Sequence, residues 1–530
     1  MAVAAEPAVG DGRRRRRPAG WAVVGALVAL VVAGPLLALP LSFLRGEEAL
    51  DQIGASLLPE ALKNSVILAA GVGAGTLLVG GSMAALVSFY DFPGRRWLDW
   101  ALILPLAVPA YVLVFVLLGQ YDDASPLPQG LRAVFGDGFR LPEIRSTLGA
   151  IAVLTAVLYP YVYALGRSAF LEQSRDTIEA ARTLGLSHAQ AIRRVALPLA
   201  RPALAAGAIL AIMEALADFG AVNLLNYRAM TDAIYRVWYG TFDRDAALQL
   251  ATVLVSLALT LVALERLMRG RARYHGAMAR GEAVIPRRLN GWRGMLAAAA
   301  PIGLLLVVFA APLAQLVAWS IRSIGEGATI DDLAASALTT LLLAVVASLV
   351  AVVTATVITY GRRTHPSTTG TVSSTLATLG YAIPGSVIAV AIYLPLAWVD
   401  RQLGALVITG SAVGLVIAYV VRFQALAMFA IDARMTRIDP SMDDAARSLG
   451  ADRNRVLGDI HLPLLWPGIT TAALLVFVEV MKELPATALL RPLGNDTLAV
   501  AVWEATKDSR FDTAALPALL IVLVGLIPVV

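Results

Sequence analysis

Twelve runs of predominantly apolar residues, most about 20 residues or longer, divide this chain, and no other feature restricts its fold as much. They fall near 19–43, 64–90, 98–119, 147–170, 203–222 and 247–267, then 297–320, 335–360, 372–398, 403–430, 468–490 and 514–530. In hydrocarbon a chain must satisfy its own backbone polar groups, so runs of this length specify membrane-spanning helices. Hydrophobic residues make up 58% of the 530 and charged residues only 15%, against roughly 45–50% and about 25% in a soluble domain. The expectation is an all-α polytopic membrane protein. The first run, Pro18 to Phe43, is too long for a signal-peptide core and reads as a retained anchor.

Arginine placement orients the spans. Arg13 to Arg17 precede the first and, placed in the cytoplasm, fix the alternation of loops. Inner loops then hold Arg95 and Arg96, Arg175 to Arg201, the connector arginines from Arg266 to Arg293, Arg362 and Arg363, and Arg434 to Arg455. Outer loops collect acids: Glu47, Glu48, Asp51, Asp122, Asp123, Glu326, Asp331, Asp332, Asp508 and Asp512. The basic block before a span is an orientation signal, and no nucleic-acid partner is expected. Both ends face the cytoplasm in this reading. The last span stops at Val530, where the sixth runs on to Glu265 and Arg266, so either the chain ends early or a cytoplasmic tail follows.

The two halves repeat. EAARTLGLSHAQAIRRVALPLARP (Glu179–Pro202) aligns without gaps on DAARSLGADRNRVLGDIHLPLLWP (Asp444–Pro467). At the same offset Glu214 meets Glu479, Asp218 meets Glu483 and Trp238 meets Trp503, while LAVPA (106–110) answers YAIPG (381–385). Six is an even number of spans, so the halves run parallel as a fused pseudo-dimer around a shared axis. The division is a cytoplasmic Arg-rich segment at 1–18, a first half at 19–267, a linker at 268–296 and a second half at 297–530.

The repeated loops, 178–202 and 443–467, are polar islands between the fourth and fifth spans of each half. Each reads as a short helix, a left-handed glycine cap at Gly185 or Gly450, and a second short helix. Pro198 and Pro463 then stand where the next membrane helix begins. A stiff connector would account for one such loop; two gapless copies facing one compartment point to a docking element.

Glu-Ala-Ala, three residues, Gly, nine residues, a hydrophobic residue, any residue and Leu-Pro resembles the signature loop of ABC-importer permeases. The first copy matches at Glu179, Ala180, Ala181, Gly185, Val195, Leu197 and Pro198. The second matches at Ala445, Ala446, Gly450, Ile460, Leu462 and Pro463, with Asp444 in place of Glu. The resemblance implies two coupling helices, each inserted into a cytoplasmic ATPase subunit, and a periplasmic binding protein that delivers cargo to a multi-pass protein of the bacterial inner membrane. ATP and magnesium would sit on the ATPase. Over nearly the whole chain the fused layout resembles the ferric iron permeases of this class, most closely at EALADFGAVNLL (214–225) and KELPATALLRP (482–492). Fused thiamine permeases share the layout, and polyamine and sulfate permeases share the loop.

The chain has no P-loop of its own: Lys63, Lys482 and Lys507, its only lysines, precede Asn, Glu and Asp. Cysteine is absent, which removes disulfides and thiolate sites. The four histidines, His188, His275, His365 and His461, all fall in inner loops, so no histidine metal site is expected within the membrane. No nucleophile–base spacing suggests a membrane enzyme. A twelve-span secondary transporter would leave the paired loops without a purpose.

Charges inside spans are expensive and face a cavity or a partner. Glu214 and Asp218 are spaced to share a face of the fifth span, and Glu479 and Glu483 repeat them on the eleventh beside Lys482. Carboxylate oxygen suits a hard cation, so the two pairs are candidates to line a central path. The alternative is structural: they pair with Lys482 or cap helix ends near Gly220 and Pro485. Pro109 and Pro384 are candidate kinks in the third and ninth spans.

Overall fold

A computed structural model describes residues 20–44, 57–123, 125–173, 175–271, 286–326, 330–364, 367–405, 407–492, 494 and 496–529. The Arg-rich segment at 1–18, residues 272–285 of the linker with His275, then His365 and the acids Glu47, Glu48 and Asp51 lie outside the described residues.

All twelve expected spans are helical. The first half contributes Gly20–Leu41, Leu57–Phe89, a third span in two pieces, Thr147–Leu171, Leu197–Ala217 and Arg244–Arg271. The second contributes Trp292–Gly325, Ile330–Thr364, a ninth span ending in Gly385–Leu403, Ala412–Met435, Leu462–Met481 and the shorter Phe511–Leu526. The repeat extends to the ends of the elements. Ser146 and Ser411 cap the fourth and tenth spans by accepting from the Gly149 and Val413 amides at 3.1 and 3.2 Å. The first and seventh spans exchange partners across the halves: Gly20–Leu41 packs on the eighth and ninth spans, and the seventh packs on the third as well as on the twelfth.

Side-chain size decides which face of a span turns inward. On Ile330–Thr364, Ala344, Ala347, Ala351 and Ala355 are fully buried, whereas Leu342, Val345, Leu349 and Val353 are exposed. Lipid is as apolar as leucine, so helices associate where small residues let backbones approach, and branched residues face the lipid. Backbones approach closely among the second, fourth and fifth spans. A Cβ on Gly80 would lie 2.5 Å from the Tyr159 carbonyl oxygen, and one on Gly207 would lie 2.7 Å from the Val162 Cα.

Proline sets the irregular points. Residues Ile192–Ala196, Leu306–Ala310 and Leu457–His461 form single π turns just before Pro198, Pro312 and Pro463. A proline ring has no N–H and crowds the carbonyl four residues back, and the wider turn makes room for both. Pro109 and Pro384 do more than kink their spans. The residue before a proline is driven out of the α region, and Val108 (φ −94, ψ 112) and Ile383 (φ −110, ψ 131) are extended. The third span is thus two pieces, Arg95–Ala107 and Ala110–Gln120, bent by 90°. The ninth restarts at Gly385 with Pro384 as its cap residue.

Two expected spans end early. Instead of continuing to 222 and 490, the fifth stops at Ala217 and the eleventh at Met481, and each is followed by a short separate helix, Gly220–Leu224 or Pro485–Leu490. A two-residue parallel ladder joins Tyr90–Asp91 to Arg287–Arg288, tying the linker to the end of the second span.

Replacing Gly80 with alanine is expected to destabilise the protein by about 1–3 kcal/mol through overpacking. The same change at Gly303, whose Cβ would meet nothing within 4 Å, should be neutral or slightly stabilising. Thermal unfolding in detergent compares the two, and equal transitions would contradict the packing described.

Candidate functional site

The two polar loops are built alike. Arg175–Thr183 and Pro440–Ser448 are the first short helices, and His188–Ala191 and Arg453–Val456 the second. Between them Gly185 (φ +89) and Gly450 (φ +83) take the left-handed conformation anticipated for them. The closure is the same in both copies: Leu186 donates to the Ala181 carbonyl at 3.3 Å and Ala451 to the Ala446 carbonyl at 3.0 Å. Ala181 and Ala446 turn inward, while Glu179, Ala180, Asp444 and Ala445 face out. Leu184 and Leu449, at the tips, are 85% and 89% exposed.

The loops differ beneath that surface. Ile178 and Ala181 join an apolar cluster with Phe170 and Ala196. In the second copy Asp443 takes the place of Ile178 and is buried beside His461. Asp439 caps this helix by accepting from the Ser441 amide at 2.8 Å, which holds its carboxyl below the usual carboxylate range. His461 was expected in an aqueous loop; it is 1% exposed, because the loop helix folds back over the π turn that carries it.

The four intramembrane acids converge. Glu214, Asp218, Glu479 and Glu483 line one cavity where the halves meet, together with Tyr111, Tyr161, Pro109, Arg422, Lys482 and Pro485. Pro384 does not line it; its neighbour Gly385 does the related work, since a Cβ there would fall 1.9 Å from an Arg422 guanidinium nitrogen and 2.7 Å from Glu483 Oε1. The acids of each pair do not share a helix face. Glu214 and Glu479 are on helices, but Asp218 and Glu483 lie past the helix ends, where the backbone turns.

That turning accounts for part of their role. Short helices within a membrane expose amides that need acceptors. Asp218 Oδ1 accepts from the Ala221 amide at 2.7 Å. Glu483 accepts from the Ala486 and Thr487 amides at 2.9 and 3.0 Å and from the Thr487 hydroxyl at 2.7 Å. Lys482 pairs with Glu479 at 2.8 Å, and Arg422 approaches Glu483 at 3.5 Å. Tyr381 stands beside Glu214, where both line an adjoining cavity with Arg422 and Glu479. Capping and cavity lining are therefore combined in the same carboxylates. Arg422 escaped the sequence reading although it had the same signal as the acids, a lone charge within the tenth span. Tyr111, Tyr161 and Tyr381 carried no such signal.

Contacts across the halves close the region beyond the cavity. The Tyr239 hydroxyl donates to the Ala488 carbonyl at 3.0 Å. Trp503 Nε1 donates to Asn223 Oδ1 at 3.0 Å, and Asn223 in turn donates to the buried Asp232 at 2.8 Å. A Cβ on Gly220 would lie 2.7 Å from the Leu484 side chain, so the two short helices meet at the junction of the halves.

The family described as "Binding-protein-dependent transport system inner membrane component" matches this chain twice, over residues 77–267 and 347–530. The chain is 25% identical to the Fe(3+)-transport system permease protein FbpB 2 of Haemophilus influenzae, covering 97% of this chain and 98% of that one. It is 24% identical to the probable ABC transporter permease protein y4fN of Sinorhizobium fredii over 95% of this chain and 92% of that one. It is 30% identical to the sulfate transport system permease protein CysT of Salmonella typhimurium, over 34% of this chain and 65% of that one.

The two capping acids should differ in their contribution to stability. Asp218→Ala removes a cap and should cost about 0.5–2 kcal/mol. Glu483→Ala also strands Arg422, and losing one member of a buried pair costs roughly 3–5 kcal/mol. Unfolding transitions of the purified variants compare them, and an equal or reversed order would contradict the Arg422–Glu483 pairing.

Proposed function

The chain belongs to the family of binding-protein-dependent transport system inner membrane components, and from that premise we propose that it carries ferric iron, delivered by a periplasmic binding protein, through the cavity between its halves. Membership makes it an ABC-importer permease, a membrane-embedded transport subunit. In our reading it lies in the bacterial inner membrane with its N-terminus in the cytoplasm. Two ATPase subunits bind ATP and magnesium and dock on the loops at Glu179–Gly185 and Asp444–Gly450, and their closure drives alternating access.

The observation that carries the cargo assignment is the chemistry of the cavity. Four carboxylates, Glu214, Asp218, Glu479 and Glu483, face it against two cations, Arg422 and Lys482. Both cations are already engaged by carboxylates. The donor set is oxygen-rich and carries an excess of acidic groups, which suits a hard cation better than an oxyanion. Similarity along nearly the full length to an Fe(3+)-transport permease supports the same reading.

A second reading rests on the two cations themselves. A guanidinium and an ammonium in the path are what an oxyanion would need, and a sulfate permease is among the relatives. Thiamine and polyamine remain readings of the layout and the loop alone.

The deciding measurement reconstitutes the chain with its ATPase subunits and follows ATP turnover on adding loaded binding protein. Ferric-loaded protein is expected to stimulate turnover, and sulfate-, thiamine- and polyamine-loaded proteins are not. Equal stimulation by sulfate would remove the iron assignment. Separately, valine at Gly185 or Gly450 must adopt a left-handed backbone costing roughly 1–2 kcal/mol. Loss of ATP-driven uptake is the expected result, and unchanged uptake would remove the docking role.

A further inference from the structure

We propose that Arg363, Asp443 and His461 are positioning residues that clamp the second docking loop to the membrane domain by charge, where the first loop is held by apolar packing. The proposal rests on the docking role assigned above to the two loops.

The three residues come from three elements. Arg363 lies in the last turn of the eighth span, Asp443 in the loop helix Pro440–Ser448 and His461 at the end of the π turn that leads into the eleventh span. His461 Nε2 lies 2.7 Å from Asp443 Oδ1. An ionised carboxylate only accepts, so the imidazole donates this bond. The other carboxylate oxygen faces Arg363, whose Nη2 and Nε stand at 3.3 and 3.4 Å. Arg363 Nη1 reaches further, donating to the Met435 carbonyl at 3.0 Å and the Ile438 carbonyl at 2.8 Å. Those carbonyls belong to the segment that leads from the tenth span into the loop helix. One guanidinium thus holds both ends of that connection.

Burial gives the contact its strength. The side chains of Arg363, Asp443 and His461 are 15%, 11% and 1% exposed. Tyr360 packs edge-on against the imidazole, with ring centroids 5.5 Å apart. The surrounding charges are otherwise engaged: Arg362 pairs with Asp432, and Asp439 caps the loop helix. Removing the charge of Asp443 leaves a buried guanidinium without its counter-charge, which is far more costly than losing an exposed pair.

The first loop shows that this arrangement is not demanded by the backbone. The positions aligned with Asp443 and His461 are Ile178 and Ala196, both buried in the apolar cluster under that loop. Neither Asp443 nor His461 belongs to the repeated Ala-Ala-Arg, Gly and Leu-Pro residues of the loop. The outward faces of the two loops are alike, and their attachments differ.

The test uses the reconstituted complex of this chain with its ATPase subunits. The chain contains no cysteine, so Leu184→Cys or Leu449→Cys supplies a unique thiol at a loop tip. A thiol-reactive bifunctional reagent then joins it to a single cysteine in the ATPase docking cleft. Asp443→Asn keeps the side-chain size and removes the charge. It should lower cross-linking from position 449 by about tenfold or more, with cross-linking from position 184 unchanged. Asp443→Glu keeps the charge and should retain most of the yield. Equal yields from Asp443→Asn and the unsubstituted loop, or equal losses at positions 184 and 449, would overturn the clamp. Equal losses from the Asn and Glu variants would overturn its dependence on charge. Failure of both tips to cross-link in the unsubstituted chain would remove the docking reading, and the clamp with it.

Discussion

A backbone that leaves the helical ladder inside a membrane has to find its hydrogen bonds within reach, because hydrocarbon offers none. The central region of this protein is organised by that requirement. The fifth and eleventh spans stop at Ala217 and Met481, and the chain restarts in the short helices Gly220–Leu224 and Pro485–Leu490. Carboxylates at Asp218 and Glu483 satisfy amides of each restart. A carboxylate placed there brings charge into the membrane, and charge there needs a cavity or a partner. The broken helices, the acidic cavity and the counter-charge of Arg422 are consequences of one local problem.

The halves solve the backbone problem in the same way and the electrostatic one differently. Loop helices, the π turns before Pro198 and Pro463, and broken spans recur at matched positions. The charges do not. The position aligned with Arg422 is Val157, which also lines the cavity, so the guanidinium serves both halves from one side. Near the loop-bearing ends of the fourth and tenth spans the ion pairs are reversed: Arg167 meets Asp99 in one half, and Asp432 meets Arg362 in the other. Backbone geometry is constrained by proline, glycine and the absence of water. Charge pairing needs only that each buried group find a partner, and different pairings meet that condition.

Those constraints also decide what was legible in the residues. Span number, the parallel repeat and the glycine caps follow from periodicity, length and backbone stereochemistry, which are local. The ends of the fifth and eleventh spans were legible only through the alternative that the acids cap helix ends near Gly220 and Pro485, because Ala-Asp-Phe-Gly and Lys-Glu-Leu-Pro otherwise continue an apolar run. The acids were found by their cost in a membrane, and Arg422 was legible on the same ground. The burial of His461 was not, since it depends on a loop folding back over a π turn. The tyrosines Tyr111, Tyr161 and Tyr381 are ordinary membrane residues until tertiary packing turns them toward the acids.

The engagement of the carboxylates bears on how a cargo could pass. Asp218 and Glu483 accept backbone amides, and Glu479 meets Lys482. A cation entering the cavity on the proposed reading would compete with partners already in place rather than meet bare charge. Its net gain is the difference between two sets of contacts, and that difference is small even where each contact is strong. A binding protein has to hold its cargo tightly, whereas a path has to bind weakly enough for release. Carboxylates that are also structural acceptors meet that requirement, because the amides and Lys482 remain in position to reclaim them once the cation moves on.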